Sequence, residues 1–272
     1  MKELYSINIS IAGKPISIRT NNPANSDYIK SSLKYFLGNG NNPFFTIYID
    51  SGIEQPAARK WNISIVYIKG KFVFINKRKY KPDIEIGYID EKKRIARLNT
   101  ASRNVRNIFH PFLVSSFAYF LSEKDGFIIH AAGVIFKNNA YIFVGPSGSG
   151  KTTITKILKK RGINIISDEK IVISRKNDSF FAFGFPWGND KNRCAPVKNI
   201  LFLKKSDKIN FRRLSHTSAI AEIFPQITLK ILDEKIAKNI LDTLSLLFKK
   251  VPGFKMKFLK NDSFWDKLEN LD

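Results

Sequence analysis

The chain has 272 residues and a mass of 31.1 kDa, enough for one large domain or two smaller ones that each bury a core. Its 46 basic residues outnumber its 23 acidic residues and give a formal net charge of +23. The lysines are scattered along the chain and form no basic stripe, which disfavours nucleic acid as the main partner. Cys194 is the single cysteine, so an internal disulfide and a CxxC redox pair are both excluded.

The sequence also shows no sign of export or of a membrane span. Met1 leads straight into alternating, strand-like sequence and not into an apolar leader. The most apolar stretch, residues 112–121, is too short to cross a bilayer. We therefore expect a cytoplasmic protein.

The first half of the chain predicts a small α+β domain. Alternating apolar and polar residues on either side of Gly13 indicate a β-hairpin over residues 5–20. The spacing of Tyr28, Leu33 and Phe36 predicts a helix over residues 24–37. The remaining predicted elements are strands at 44–49, 61–68, 71–75 and 84–89 and a largely buried helix at 105–121.

The second half predicts strands and helices in alternation. An apolar run at residues 127–136, a turn and a strand at 140–144 indicate a hairpin that leads into a helix. A strand at 163–174 follows and is interrupted by Asp168 and Glu169. The other predicted elements are strands at 180–185 and 200–203 and helices at 217–224 and 233–248.

Between the strand at 140–144 and its helix lies a complete phosphate-binding motif, G-x-x-x-x-G-K-[ST]. Its glycines allow a tight turn that brings backbone N–H groups to the phosphates, and the helix points its positive end at the same place. In this motif Lys151 reaches the β- and γ-phosphates, and the hydroxyl of Thr152 binds Mg²⁺. The predicted ATP-binding residues are Gly145, Pro146, Ser147, Gly148, Ser149, Gly150, Lys151, Thr152 and Thr153.

Two further features place candidate metal-binding and catalytic residues beside this loop. Asp168 follows a buried strand where a carboxylate can meet the Mg²⁺, whereas Glu169 would point to the opposite side if the strand stayed regular. His130 lies on the strand expected to pair with the one that feeds the loop, and either acts on a reacting group or is a hydrogen-bonded core residue. His110 and His216 have no such setting. Residues 184–190 form either an acceptor pocket or a packing turn.

These motifs, in this order and spacing, resemble HPr kinase/phosphorylase and the wider HPr-kinase-like group. The resemblance rests on residues 130–134, 145–153 and 166–169, covers about residues 127–190 and fades beyond them. It implies a phosphate-loop domain on a phosphoenolpyruvate-carboxykinase-type core. It also implies that His130 and Glu169 assist deprotonation of an acceptor hydroxyl, while Thr152 and Asp168 bind Mg²⁺ and Lys151 binds phosphate.

The chain departs from that group at two places. Glu169 stands where the family normally has a second aspartate, and no Glu-x-Arg-Gly signature follows in the C-terminal part. HPr is therefore disfavoured as the substrate. The sequence looks more like a divergent branch with a small amino-terminal α/β module, associated with modification of peptides or other small acceptors.

Together these observations predict an α/β protein with two domains. Residues 1–103 form a small α+β domain that selects the acceptor or regulates the activity. Residues 104–272 form the P-loop catalytic domain with C-terminal helices. The predicted activity is Mg²⁺-ATP-dependent phosphorylation of a hydroxyl on a peptide, protein or small molecule, with homo-oligomerisation as a possibility implied by relatives. The alternatives are a regulatory or scaffold ATPase without an acceptor and, from charge alone, a nucleic-acid-dependent ATPase. A transporter ATPase is disfavoured because no LSGGQ-like signature follows the loop.

Overall fold

The computed structural model describes residues 4–52, 63–68, 71–76, 84–124, 126–188, 190–229, 233–269 and 271. These residues form two compact units. The first comprises Met1–Leu121 and Leu229–Ala237, and the second comprises Ser122–Thr228 and Lys238–Asp272. Each unit contains a mixed β-sheet with helices, so the predicted α/β class is confirmed. The predicted division of labour between residues 1–103 and 104–272 stays a prediction.

The first unit is built on a seven-stranded sheet. Its strands are β1 (Tyr5–Ile11), β2 (Lys14–Thr20), β3 (Phe45–Asp50), β4 (Ile63–Ile68), β5 (Lys71–Asn76), β6 (Ile84–Asp90) and β7 (Ile95–Asn99). Their order in the sheet is β1-β2-β3-β7-β6-β5-β4. The predicted hairpin is confirmed, because β1 and β2 pair antiparallel across a turn in which Ala12 and Gly13 both have positive φ. The sequence also predicts a tight turn at residues 69–70, and these lie outside the described residues.

Two helices accompany this sheet. Helix α1 (Pro23–Ser32) begins after Asn22, whose side chain caps it by accepting a hydrogen bond from Asn25 N at 3.2 Å. The prediction that this helix reaches residue 37 is wrong, because Phe36 O accepts a hydrogen bond from Ser10 N of β1 at 2.8 Å. Helix α2 (Val105–Ser122) was predicted to within one residue and is buried along most of its length.

The second unit contains a nine-stranded sheet. Its strands are β8 (Gly126–Ile129), β9 (Ala131–Phe136), β10 (Asn139–Val144), β11 (Asn164–Ser167), β12 (Ile171–Lys176), β13 (Ser179–Gly184), β14 (Cys194–Lys205), β15 (Asn210–Arg213) and β16 (Gly253–Phe258). Seven of them follow the order β11-β9-β10-β14-β13-β12-β8, while β16 pairs with β14 and β15 pairs with β16. The strand that feeds the phosphate loop, β10, pairs antiparallel with β9 and parallel with β14.

Two predicted strands are each divided in the structure. The apolar run at 127–136 breaks at His130, and its halves β8 and β9 pair with different neighbours. The predicted strand at 163–174 breaks at Asp168 and Glu169 into β11 and β12. Both breaks fall on candidate catalytic residues, which therefore lie at strand ends where side chains can reach a ligand.

Three complete helices and residues 238–250 of a fourth belong to the second unit. They are α3 (Lys151–Lys160), α4 (His216–Ile223), α5 (Glu234–Lys250) and α6 (Phe264–Glu269). Sequence patterns predicted α3, α4 and α5 but missed α6 and strands β7, β15 and β16. No helix in the described part of the chain is both long and apolar enough to cross a bilayer.

Helix α3 is held in place by a buried apolar cluster. Ile154 and Leu158 of α3 are fully buried in this cluster with Phe258 of β16 and Trp265 of α6. Burying two aliphatic side chains of this size contributes roughly 3–6 kcal/mol before entropy is counted. The start of α3, and with it the phosphate loop, is therefore fixed by packing on β16 and α6.

Candidate active site

The phosphate loop joins the buried end of β10 to the start of α3. Gly148 has φ of 78° and Gly150 has φ of 110°, backbone conformations that favour glycine. Gly150 is also the N-cap of α3 and has no side chain that could accept from the first N–H groups of the helix. Those N–H groups and the positive end of the helix are therefore suited to an anion such as phosphate.

Lys151 lies inside this loop. Its side chain is buried, and its ammonium donates hydrogen bonds to the carbonyl oxygens of Gly145 at 2.6 Å and Pro146 at 3.1 Å. Burial lowers the pKa of Lys151, and the nearby carboxylate of Glu169 opposes that shift. The positive charge of Lys151 is thus held at the base of the loop, where it can attract a phosphate.

A cavity of about 530 Å³ opens over the loop and brings the predicted residues together. Gly145, Pro146 and Ser149 belong to the loop but do not line the cavity, and the hydroxyl of Ser149 is buried. Lys205, at the end of β14, is a cavity residue that sequence analysis missed. The parallel pairing of β14 with β10 brings it there. The lining residues are His130, Ser147, Gly148, Gly150, Lys151, Thr152, Thr153, Asp168, Glu169 and Lys205.

His130 is placed by the pairing of β9 with β10. Ala131, the next residue, lies opposite Val144, which immediately precedes the loop. The Nδ1 atom of His130 lies 3.0 Å from the backbone oxygen of Glu169 and 3.4 Å from its Oε1. Because a carbonyl oxygen only accepts, Nδ1 carries the proton in this hydrogen bond and Nε2 keeps a lone pair in the neutral imidazole.

The surroundings of His130 favour its neutral form. Burial lowers its pKa most strongly, and the ammonium of Lys151 lowers it further, while the carboxylate of Glu169 opposes both effects. A histidine that is neutral near pH 7 can accept a proton. The carboxylate of Glu169 beside Nδ1 would then stabilise the imidazolium that results.

The acidic turn that carries Asp168 and Glu169 is held by Ser167. The Ser167 hydroxyl donates to Asp190 and accepts from the N–H groups of Glu169 at 3.2 Å and Lys170 at 3.1 Å. Since the strand breaks here, Asp168 and Glu169 line the same cavity instead of pointing to opposite sides. The condition under which Glu169 would point to the opposite side, a regular strand, is therefore not met.

Asp190 was foreseen only as one polar residue of a candidate acceptor loop. Burial raises the pKa of its carboxyl to about 7, the Ser167 hydrogen bond opposes the rise, and the charges of Asp168 and Glu169 add to it. Asp190 is therefore partly protonated at neutral pH and orients Ser167.

A second cavity, of about 810 Å³, lies next to the first and shares Asp168 and Glu169 with it. The predicted loop at 184–190 contributes Trp187, whose ring lies 5.6 Å from the ammonium of Lys170. The complete lining is Thr155, Lys156, Lys159, Gly162, Ile163, Asn164, Ile165, Ile166, Asp168, Glu169, Trp187, Gly188, Asp190, Lys191 and Arg193. His110 and His216 line neither cavity.

The donor set of the first cavity fits a nucleotide-bound magnesium ion. In the described residues no cluster of three or more His, Cys, Asp or Glu side chains is arranged to hold a metal on its own. Mg²⁺ does not need such a cluster, because it retains waters and shares phosphate oxygens with one or two protein ligands. The hydroxyl of Thr152 and the carboxylate of Asp168, which line one cavity, are oxygen ligands of that kind.

Comparison with known proteins identifies the family. The family model described as SynChlorMet cassette protein ScmC matches residues 98–271, more than half of the chain, and the chain belongs to this family. No curated protein matches it. The structure of the Hpr(Ser) kinase/phosphatase from Coxiella burnetii matches with a TM-score of 0.32 and 13% identity, covering 53% of this chain and 92% of that one. That similarity is too low to transfer a residue's role.

Proposed function

We propose that this ScmC-family protein is a kinase that transfers the γ-phosphoryl group of Mg²⁺-bound ATP to an acceptor hydroxyl. The observation that carries the proposal is the meeting of a complete phosphate loop, His130 and the acidic turn in one cavity. We also propose that the second unit is an HPr-kinase-like domain with a phosphoenolpyruvate-carboxykinase-type core, as the order of its motifs implies. The amino-terminal residues 1–103 would select the acceptor.

The loop and its cations bind and orient the triphosphate. Backbone N–H groups of Gly148, Gly150 and Lys151, which line the cavity, would bind the phosphates at the start of α3, and Lys151 and Lys205 supply positive charge in the same cavity. Thr152 and Asp168 would hold Mg²⁺, which when bound neutralises charge on the phosphates. Positioning and charge neutralisation carry most of the rate enhancement in such reactions.

His130 receives the proton of the acceptor hydroxyl. The acceptor oxygen forms a bond to the γ-phosphorus while the bond to the bridging oxygen breaks, and ADP leaves with those bonding electrons. The hydroxyl proton passes to Nε2 of His130, since Nδ1 already carries a proton toward Glu169 O. Glu169 orients the ring and stabilises its charged form.

The test is transfer of labelled phosphate from ATP to acceptors, with free phosphate measured in parallel. His130→Ala and Glu169→Gln should each lower transfer by roughly 10²–10⁴-fold and leave ATP affinity nearly unchanged. Lys151→Ala should instead weaken ATP binding, measured by calorimetry, by roughly 2–5 kcal/mol. Glu169→Asp should retain more activity than Glu169→Gln, because it keeps a carboxylate.

His216→Ala is the matched control, since His216 is exposed and lies outside both cavities. Full transfer activity in both His130→Ala and Glu169→Gln would refute the proposed mechanism. Release of phosphate into solution with none on any acceptor would favour a regulatory ATPase. Unchanged ATP affinity in Lys151→Ala would refute the nucleotide site itself.

A further inference from the structure

The cavity beside the nucleotide site is shaped by the edge strand β11. In the described residues β11 pairs only with β9, and its residues Asn164, Ile165 and Ile166 line this cavity. The lining follows the chain from Gly162 to Glu169 almost without interruption. The four residues of β11 span about 13 Å. With a volume of about 810 Å³, the cavity has room for a short extended peptide segment.

The charged side chains that line this cavity fall into two groups, carboxylates and cations. Asp168 and Glu169 belong to the wall shared with the phosphate cavity, and Asp190 is bonded to Ser167. The remaining charged residues are all cations, namely Lys156, Lys159, Lys191 and Arg193. The guanidinium of Arg193 donates to Ile165 O at 2.7 Å, which fixes one cation on the edge of β11.

An aromatic surface completes the cavity. Trp187 is half-buried in its wall, and the ammonium of Lys170 lies over the indole ring. Tryptophan and arginine, here Trp187 and Arg193, are residue types enriched where proteins bind peptides and other proteins.

We propose that this cavity binds the acceptor as an extended acidic peptide segment and delivers its serine or threonine hydroxyl to the wall formed by Asp168 and Glu169. This inference rests on the proposed kinase function and names its substrate class. Acidic side chains of the peptide meet Lys156, Lys159, Lys191 and Arg193, while the hydroxyl reaches the shared wall beside His130. The cations thus provide selectivity for acidic flanks through charge complementarity.

The test uses three labelled peptides of equal length, each with one central serine flanked by glutamates, glutamines or lysines. Their binding to the full chain is measured by fluorescence anisotropy with Mg²⁺ and a non-hydrolysable ATP analogue. We expect the glutamate-flanked peptide to bind at least about tenfold more tightly than the glutamine-flanked one. In Lys156→Glu/Lys159→Glu this preference should disappear, and the lysine-flanked peptide should gain affinity.

Lys160→Glu is the matched control, because Lys160 is exposed on the same helix but lines neither cavity. Equal binding of the three peptides would overturn the inference. So would an equal effect of Lys160→Glu, which would mean non-specific attraction to a chain of net charge +23.

Calorimetry with ATP separates this inference from the proposed function. Loss of ATP binding in Lys156→Glu/Lys159→Glu would assign the second cavity to the nucleotide and overturn the acceptor site, while the kinase proposal would stand. Selective peptide binding without phosphoryl transfer in the wild type would support the site and contradict the kinase.

Discussion

The packing beneath the phosphate loop predicts a large and specific cost for Gly150→Ala. At φ of 110° the backbone of Gly150 lies outside the left-handed region open to L-residues, which costs about 1–3 kcal/mol. A methyl group there would lie 2.6 Å from Cζ of Phe258, whereas carbon atoms prefer about 3.5–4.0 Å. Since the Phe258 ring is buried against Phe264, the clash adds about 1–3 kcal/mol.

Gly148→Ala isolates the contribution of this clash. Gly148 also has positive φ, but a methyl group there would meet no atom within 4 Å. Its cost is therefore the backbone strain alone, about 1–2 kcal/mol. Gly150→Ala should exceed Gly148→Ala by about 1–3 kcal/mol in the free energy of unfolding.

The assay is urea unfolding of the nucleotide-free protein, followed by tryptophan fluorescence, to which Trp265, buried in the same cluster as Phe258, contributes with the two other tryptophans of the chain. Removing the Phe258 ring should relieve the clash, so Phe258→Leu should cost less in the Gly150→Ala background than in the wild type. Equal unfolding free energies for Gly148→Ala and Gly150→Ala, together with no relief from Phe258→Leu, would refute the reasoning.

Two further predictions concern the acidic residues. Asp168→Ala should leave most ATP binding intact but remove its dependence on Mg²⁺, and a metal titration identical to that of the wild type would contradict this role. The raised pKa of Asp190, about 7, means that the folded protein keeps a proton that the unfolded chain releases above about pH 4. This stabilising contribution is full below that pH and is lost as the pH rises through 7, so Asp190→Asn should remove roughly 1–2 kcal/mol of pH dependence between about pH 5 and 8, allowing for solvent screening. An unchanged pH slope of the unfolding free energy, measured in metal-free buffer, would contradict it.

Sequence patterns predicted the parts of the site whose residues lie close together along the chain. The loop at 145–150 lies between a strand and a helix that are contiguous with it, and hairpin pairing alone brings His130 beside the loop. Strand β16 was missed although its alternation of apolar residues and lysines was visible in the sequence. Helix α1 was extended too far because Phe36, although buried, follows the end of the helix and its backbone oxygen accepts a hydrogen bond from Ser10 N of β1.

Residues brought together by long-range contacts could not be found in this way. The bond from Ser167 to Asp190 joins positions 23 residues apart in the chain, and nothing in either local pattern predicts it. Lys205 reaches the phosphate cavity only because β14 lies parallel to β10. The second cavity likewise combines side chains from α3, β11 and the loop before β14.

Part of the positive charge of the chain lines these two cavities, where it can bind anions. A nucleotide and an acidic acceptor repel each other, and transfer requires their reacting atoms to approach closely. Lys151 and Lys205 line one cavity and Lys156 and Lys159 line the other, so each anion would meet its own cations. Asp168 and Glu169 stand on the wall between them, where the flanking cations stabilise the two carboxylates but two bound anions would repel them. A metal ion held by Asp168 and a protonated His130 beside Glu169 would relieve that repulsion, so the acidic pair suits the reaction proposed at that wall.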